Sequence, residues 1–204
     1  MAIQINGNGT ITGISVGGLP DGIVDTDMIA NSAVTTAKSS GLGTSTRTVG
    51  SAITLSNQSS VDFTGFGTIK RFDILLNAVS LGNGSDWGVR IGTGGSVDTS
   101  GYRAQSGYLI SNSNIAEDNT GGFFTKGLAN SAYSNNGLFR FVNVHHQTGT
   151  KWYCDAIITE YSTTNYTFYV KGYRTLSGAL DIIQVVPESG SFDSGELRLV
   201  TYSD

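Results

Sequence analysis

The residues able to do chemistry in this chain are few. His145 and His146 are its only histidines. Neighbours on a strand point to opposite faces, so the two imidazoles cannot share a metal ion without further ligands from elsewhere or from symmetry mates. They read as polar residues at a strand end. Asp25 and Asp27 put two carboxylates on one side of an extended segment. Without the oxygen array that calcium requires, they read as a solvated turn. Gly92-Thr93-Gly94-Gly95 lacks the Lys-Ser or Lys-Thr of a phosphate loop and reads as a hairpin turn. Cys154 is the only cysteine, which excludes an intramolecular disulfide; it sits in an apolar run as a small buried hydrophobe. A Ser-His-Asp set has only two adjacent histidines to build on, and no spacing among the 16 acidic residues selects a pair for glycoside hydrolysis. The sequence predicts no catalytic set, no metal and no cofactor.

What remains is recognition. Trp87, Tyr102, Tyr108 and Tyr133 lie in or beside Gly/Ser/Asn-rich stretches. A ring with an apolar face and a polar handle suits stacking on a sugar, so these four are the glycan-binding candidates. Packing in a core or between subunits is the alternative for each. Trp152, at the head of a strand, reads as core.

The elements that position these rings are unevenly distributed. All 9 Phe, 9 Tyr and 2 Trp lie at or after Phe63. Residues 1–62 are built from Gly, Ser, Thr, Asn, Ala, Ile and Val. A ring-free segment buries little apolar area, while ordering its backbone costs roughly 1–2 kcal/mol per residue. Residues 1–46 are therefore expected to form an arm and linker ordered by other chains, and 47–204 a self-sufficient head. In the arm, Ile3, Ile5, Ile11 and Ile14 alternate in a β-like pattern broken by glycines, and are the candidate attachment residues. Two decads, 21–30 and 31–40, form a weak repeat. At most a turn or two of helix is expected, near Thr26–Ala37, and Ser39 to Gly50 reads as a flexible linker.

Charged residues are 14% of the chain, against roughly 25% for a typical soluble protein. Net charge is −4 with no basic block, which argues against a nucleic-acid partner. No stretch approaches the ~20 apolar residues of a membrane span, and no secretory leader precedes the arm. The protein is expected to be made in a cytoplasm and not to insert in a membrane.

From residue 51 the chain reads as strands and turns, with strands expected over 52–55, 61–63, 69–79, 87–91, 102–110, 122–128, 138–146, 152–161, 166–174, 180–186 and 196–202. In the 166–174 run, Phe168 and Val170 share one face, while Thr167, Tyr169, Lys171 and Tyr173 share the other. Short strands with turn signals every 8–15 residues predict an all-β chain, a jelly-roll-like β-sandwich.

Two stretches resemble a known family. Met1-Ala2-Ile3-Gln4-Ile5-Asn6-Gly7-Asn8-Gly9-Thr10-Ile11-Thr12-Gly13-Ile14, then Gly17-Gly18-Leu19-Pro20-Asp21-Gly22 and Ala33-Val34-Thr35-Thr36-Ala37-Lys38, resemble N-terminal segments of structural proteins of tailed bacteriophages, particularly phages of marine bacteria and cyanobacteria. Phe72-Asp73-Ile74-Leu75-Leu76-Asn77-Ala78-Val79-Ser80, Val89-Arg90-Ile91-Gly92 and Leu176-Ser177-Gly178-Ala179-Leu180-Asp181 are similar to a β-sandwich domain at the C-terminal ends of phage tail fibres. The resemblance implies a virion protein, homotrimeric, attached to other tail or capsid proteins by its N-terminus and touching host cell-surface polysaccharide with its head. It carries over no fixed binding or catalytic residue. The shaft is very short, which suits a stubby fibre, a tip or a spike. A purely structural head-decoration or fibre-adaptor protein is the alternative, and a surface-polysaccharide depolymerase stands behind both.

Overall fold

A computed structural model describes residues 4–5, 11–12, 46–110, 113–126, 133–144, 150–161 and 166–203. The chain divides into two compact units, Met1–Thr44 and Ser45–Asp204. In the first, β1 (Gln4–Ile5) and β2 (Ile11–Thr12) form an antiparallel pair that sets Ile5 opposite Ile11. Ile3, Ile14, the two decads and the expected helical turn lie outside the described residues.

The second unit is all β among its described residues. Its strands are β3 (Thr46–Val49), β4 (Ile53–Thr54), β5 (Val61–Thr64), β6 (Arg71–Leu81), β7 (Trp87–Thr93), β8 (Ser96–Val97) and β9 (Arg103–Ile110). Then follow β10 (Ser113–Asn119), β11 (Phe123–Phe124), β12 (Ser134–Asn143), β13 (Lys151–Tyr161), β14 (Tyr166–Thr175), β15 (Ile182–Pro187) and β16 (Phe192–Ser203). They form an antiparallel nine-stranded sheet, β10-β9-β14-β13-β12-β6-β16-β3 with β4 also on β16, and a five-stranded sheet, β11-β7-β15-β5 with β8 on β7.

The connectivity is that of a jelly roll. Treat β3 and β4 as one interrupted edge strand. The neighbours β3/β4-β16-β6-β12 and β5-β15-β7-β11 are then its two four-stranded layers, linked in chain order as two Greek keys. Two excursions widen the first layer. One, between β7 and β11, supplies β9 and β10; the other, between β12 and β15, supplies β13 and β14. They pair with each other through β14 and β9, with Lys171 opposite Gln105.

Alternation explains the core. In β13, Trp152, Cys154, Ala156 and Ile158 face inward and are buried, while Tyr153, Ile157 and Tyr161 face outward. The layers meet through aromatic rings. Phe72 stacks on Phe141 at 4.4 Å within the large sheet. Phe123 of the small sheet meets Phe141 edge-on at 5.1 Å. Trp87 meets Phe139 at 5.7 Å and Phe192 at 6.0 Å. Burying one such ring contributes about 1.5–3 kcal/mol, and edge-to-face pairs add roughly 0.5–1.5 kcal/mol each.

Two departures from the sequence reading concern edges. Thr46–Val49, expected within a linker, is a strand held by β16, with Val49 opposite Val200. Ser113–Asn119, not expected as a strand, pairs along its whole length with β9. An edge strand need bury neither face, so it carries no apolar alternation. The 122–128 strand contracts to Phe123–Phe124 within the described residues.

Candidate functional site

The four predicted sugar-stacking rings do not form a platform. Trp87 lies on β7 and is fully buried between Phe139 and Phe192, with no face left for a ligand. Tyr102 is only 2% exposed. Its ring meets Phe123 edge-on at 5.1 Å. Its hydroxyl accepts the Ile91 amide proton at 2.9 Å and lies 2.9 Å from the Asp98 carbonyl and 3.0 Å from that of Ile91. The reason lies in β7. Its outer edge pairs with β11 at Gly88 and Val89 and with β8 at Gly92 and Thr93, leaving the Ile91 peptide in the gap. The Tyr102 hydroxyl replaces the missing strand there. Burial pushes its pKa up to about 12. Trp87 and Tyr102 are therefore corrected from glycan candidates to core residues.

Tyr108, half-buried, packs edge-on against Tyr166 at 5.7 Å and leans on Phe168 at 5.6 Å. It faces the core and not the outside. Tyr133 is half-buried just before β12. His145, His146, Asp25 and Asp27 lie outside the described residues. Cys154 is fully buried, and desolvation raises its thiol pKa well above the ordinary value. Gly94 and Gly95, both at positive φ, turn the β7–β8 hairpin. Their amides form a nest that holds the Asp181 carboxylate, with 2.7 Å from Gly94 N to Oδ2 and 3.2 Å from Gly95 N. A side chain of the protein itself fills this anion-binding geometry. Among the described residues no three His, Cys, Asp or Glu side chains converge for a metal.

The outer face of the nine-stranded sheet is organised differently. Register lines its outward side chains up in rows perpendicular to the strands. One row is apolar: Leu75, Leu138, Ile157 and Tyr169, on β6, β12, β13 and β14. The next alternates in charge: Asp73, Arg140, Asp155, Lys171, then Gln105 and Asp118. Arg140 Nε lies 3.3 Å from Asp73 Oδ1, and Lys171 Nζ 3.4 Å from Asp155 Oδ1. The third row carries Arg71, Val142, Tyr153, Tyr173 and Arg103.

The last two rows close around an open groove of about 480 Å³, lined by Arg103, Gln105, Asp118, Thr120, Tyr153 and Lys171. Close approach of β9 and β14 under it depends on Gly172, where a Cβ would collide with the Arg103 carbonyl and Ala104. Gln105 Nε2 donates to Asp118 Oδ1 at 3.0 Å, fixing both across the strand pair. Of the two tyrosines in the third row, Tyr173 has Lys151 Nζ 4.4 Å from its ring centre. Tyr153, 39% exposed, has no ring or cation contact with any described residue. Arg103 makes no ion pair or side-chain hydrogen bond with any described residue. The groove offers an unused aromatic face and an unused guanidinium two strands apart, about 10 Å between backbones, with β14 and its Lys171 between them and the Gln105 amide and Asp118 carboxylate on the Arg103 side.

Sequence reasoning passed over these residues, although the signal was present. Once Trp152, Cys154 and Ala156 are core, Tyr153 must point outward. Comparison of the chain with protein-family models, curated proteins and solved structures returned no match.

Proposed function

We propose that the chain is a virion structural protein of a tailed bacteriophage, of the tail-fibre or receptor-binding class. Its N-terminal arm attaches it to other tail or capsid proteins, and its jelly-roll head recognises host surface polysaccharide. The observation that carries the recognition is the groove. A free Tyr153 ring stands beside hydrogen-bonding groups of both signs on a solvent-facing sheet. That combination suits a pyranose, which has an apolar face to stack and a rim of hydroxyls to bond. The virion setting rests on the ring-free first 62 residues and on the resemblance of the arm and head to phage fibre segments.

In this reading the protein is a homotrimer, and three grooves on one particle convert weak single-site binding into avidity. The exposed apolar row, with Ile157 58% and Leu75 36% exposed, is the head surface on which copies pack.

The test is an array of bacterial surface polysaccharides, read with the fluorescently labelled full chain and its Tyr153→Ala variant. Wild type should bind a subset of the polysaccharides, and the variant about tenfold less tightly or worse. Binding to none would move the chain to a decoration or adaptor role. Binding that ignores Tyr153 would remove the groove from the account.

A further inference from the structure

We infer that the saccharide taken by the groove is acidic, a pyranose bearing a carboxylate that Arg103 grips with its guanidinium fork. This rests on the glycan-recognition reading and adds the chemical class of the ligand.

The argument is an inventory of unused capacity. One carboxylate, Asp118, lines the groove and a second, Asp155, stands next to Lys171 in the same row; each already has a partner. Asp118 accepts from Gln105 at 3.0 Å, and Asp155 lies 3.4 Å from Lys171. Lys171 is thus partly committed, although an ion pair between side chains that are 57% and 45% exposed is weak and can be shared with a ligand. Of the side chains lining the groove, Arg103 is the arginine, and its five N–H donors are unspent on any described residue. A neutral sugar hydroxyl takes one such donor. A carboxylate takes two in parallel, with geometry matched to the planar fork.

The chain's overall charge of −4 does not oppose this. At physiological salt, charges beyond about 8 Å are screened, so the groove's own groups decide. In the same two rows the other arginines are paired: Arg140 reaches Asp73 at 3.3 Å, and Arg71 reaches it at 2.6 Å. At the groove the alternation leaves Arg103 over, at the end of the row that holds Tyr153.

The deciding experiment is titration calorimetry of the full chain with oligogalacturonate, oligoglucuronate and oligomannuronate. Each is compared with its methyl ester, which keeps the ring and removes the charge, and with a sulfated oligosaccharide. Wild type should bind at least one uronate about tenfold or more tightly than its ester, the margin expected of a charge-assisted hydrogen bond. Arg103→Gln should erase that margin by weakening the acid far more than the ester, while Tyr153→Ala weakens acid and ester alike. Thermal melts of both exposed-site variants should match wild type. Equal binding of acid and ester, or a margin that survives Arg103→Gln, overturns the inference and leaves glycan recognition standing. A sulfated ligand bound as tightly as the best uronate overturns the choice of carboxylate. No binding to any member of the panel overturns the inference, and glycan recognition then stands or falls with the polysaccharide array.

Discussion

Replacing Tyr102 by Phe separates a structural tyrosine from the one proposed for recognition, and its cost can be worked from the structure. The ring stays and keeps its contact with Phe123; only the hydroxyl goes. That hydroxyl accepts the Ile91 amide at 2.9 Å, in the stretch of β7 that neither β8 nor β11 covers. Its loss leaves the Ile91 N–H, in a residue with no exposed surface, without an acceptor. The Ile91 carbonyl keeps only the Asp98 amide, at 3.0 Å. An unsatisfied buried amide costs about 1–3 kcal/mol, so a loss near 2 kcal/mol is expected. For a domain of this size that lowers Tm by roughly 4–8 °C. The assay is a thermal melt at pH 7 of the full chain, beside saccharide binding on the array. Tyr102→Phe should lose stability and keep binding. Tyr153→Ala should do the reverse. An unchanged melt with lost binding would mean that the ring serves recognition and that the β7 gap account is wrong. The same burial gives a pH signature. The folded pKa is raised to about 12 from 10.0, so the folded state holds this proton more tightly than the unfolded chain. The stabilisation is complete below pH 10 and lost as pH rises towards 12, by roughly 2–3 kcal/mol. Tyr102→Phe should flatten that limb.

Three further outcomes follow from burial and exposure. Glu160 is 2% exposed and its pKa is raised to about 7 by desolvation, so its contribution is intact below pH 4.5 and lost as pH rises through 7; Glu160→Gln should therefore match wild type at pH 4 and exceed it at pH 8 by on the order of 2–3 kcal/mol in urea melts. Cys154 should resist a thiol reagent in the folded protein and release one equivalent per chain on denaturation, and rapid labelling of the native state would contradict its place in the core. Ile157→Asp, on an outward residue 58% exposed, should leave the melt within about 0.5 kcal/mol of wild type but lower the molar mass by light scattering; an unchanged oligomer would remove the apolar row as the packing surface.

The long inner strands were legible because alternation and length agree. Residues 152–161 and 166–174 were read within a residue of β13 and β14. The misreadings share one cause. Trp87 and Tyr102 were picked as sugar platforms because Gly, Ser and Asn flank them. In a sandwich of short strands, turn residues flank inward and outward rings alike, so flanks carry no information about direction. Alternation does: Trp87 shares its face with Val89 and Ile91, both fully buried. Thr46–Val49 and Ser113–Asn119 hid for the opposite reason. Their strand character comes from neighbours, β16 and β9, that lie far away or offer only pairing, and no local pattern encodes a partner.

The topology explains why the groove escaped a reading of single segments. Every side chain lining it comes from outside the eight jelly-roll strands. Arg103, Gln105, Asp118 and Thr120 belong to the excursion between β7 and β11, Tyr153 and Lys171 to the one between β12 and β15. The excursions meet only when β14 docks on β9, so the groove exists only in the folded sheet. The cross-sheet aromatic core, by contrast, is drawn mainly from the eight strands, in Phe72, Trp87, Phe123, Phe139, Phe141 and Phe192. The aromatic core and the proposed recognition groove are therefore drawn from largely separate residues joined through one sheet. On this division, exchanging Arg103, Gln105, Asp118 and Lys171 together should change which saccharide binds and leave the melt nearly unmoved. Truncating Phe141 to Ala should cost about 3–5 kcal/mol and leave the specificity of whatever fraction remains folded unaltered. If altering the four surface residues unfolded the head, the inserted strands would have to be counted as part of its core.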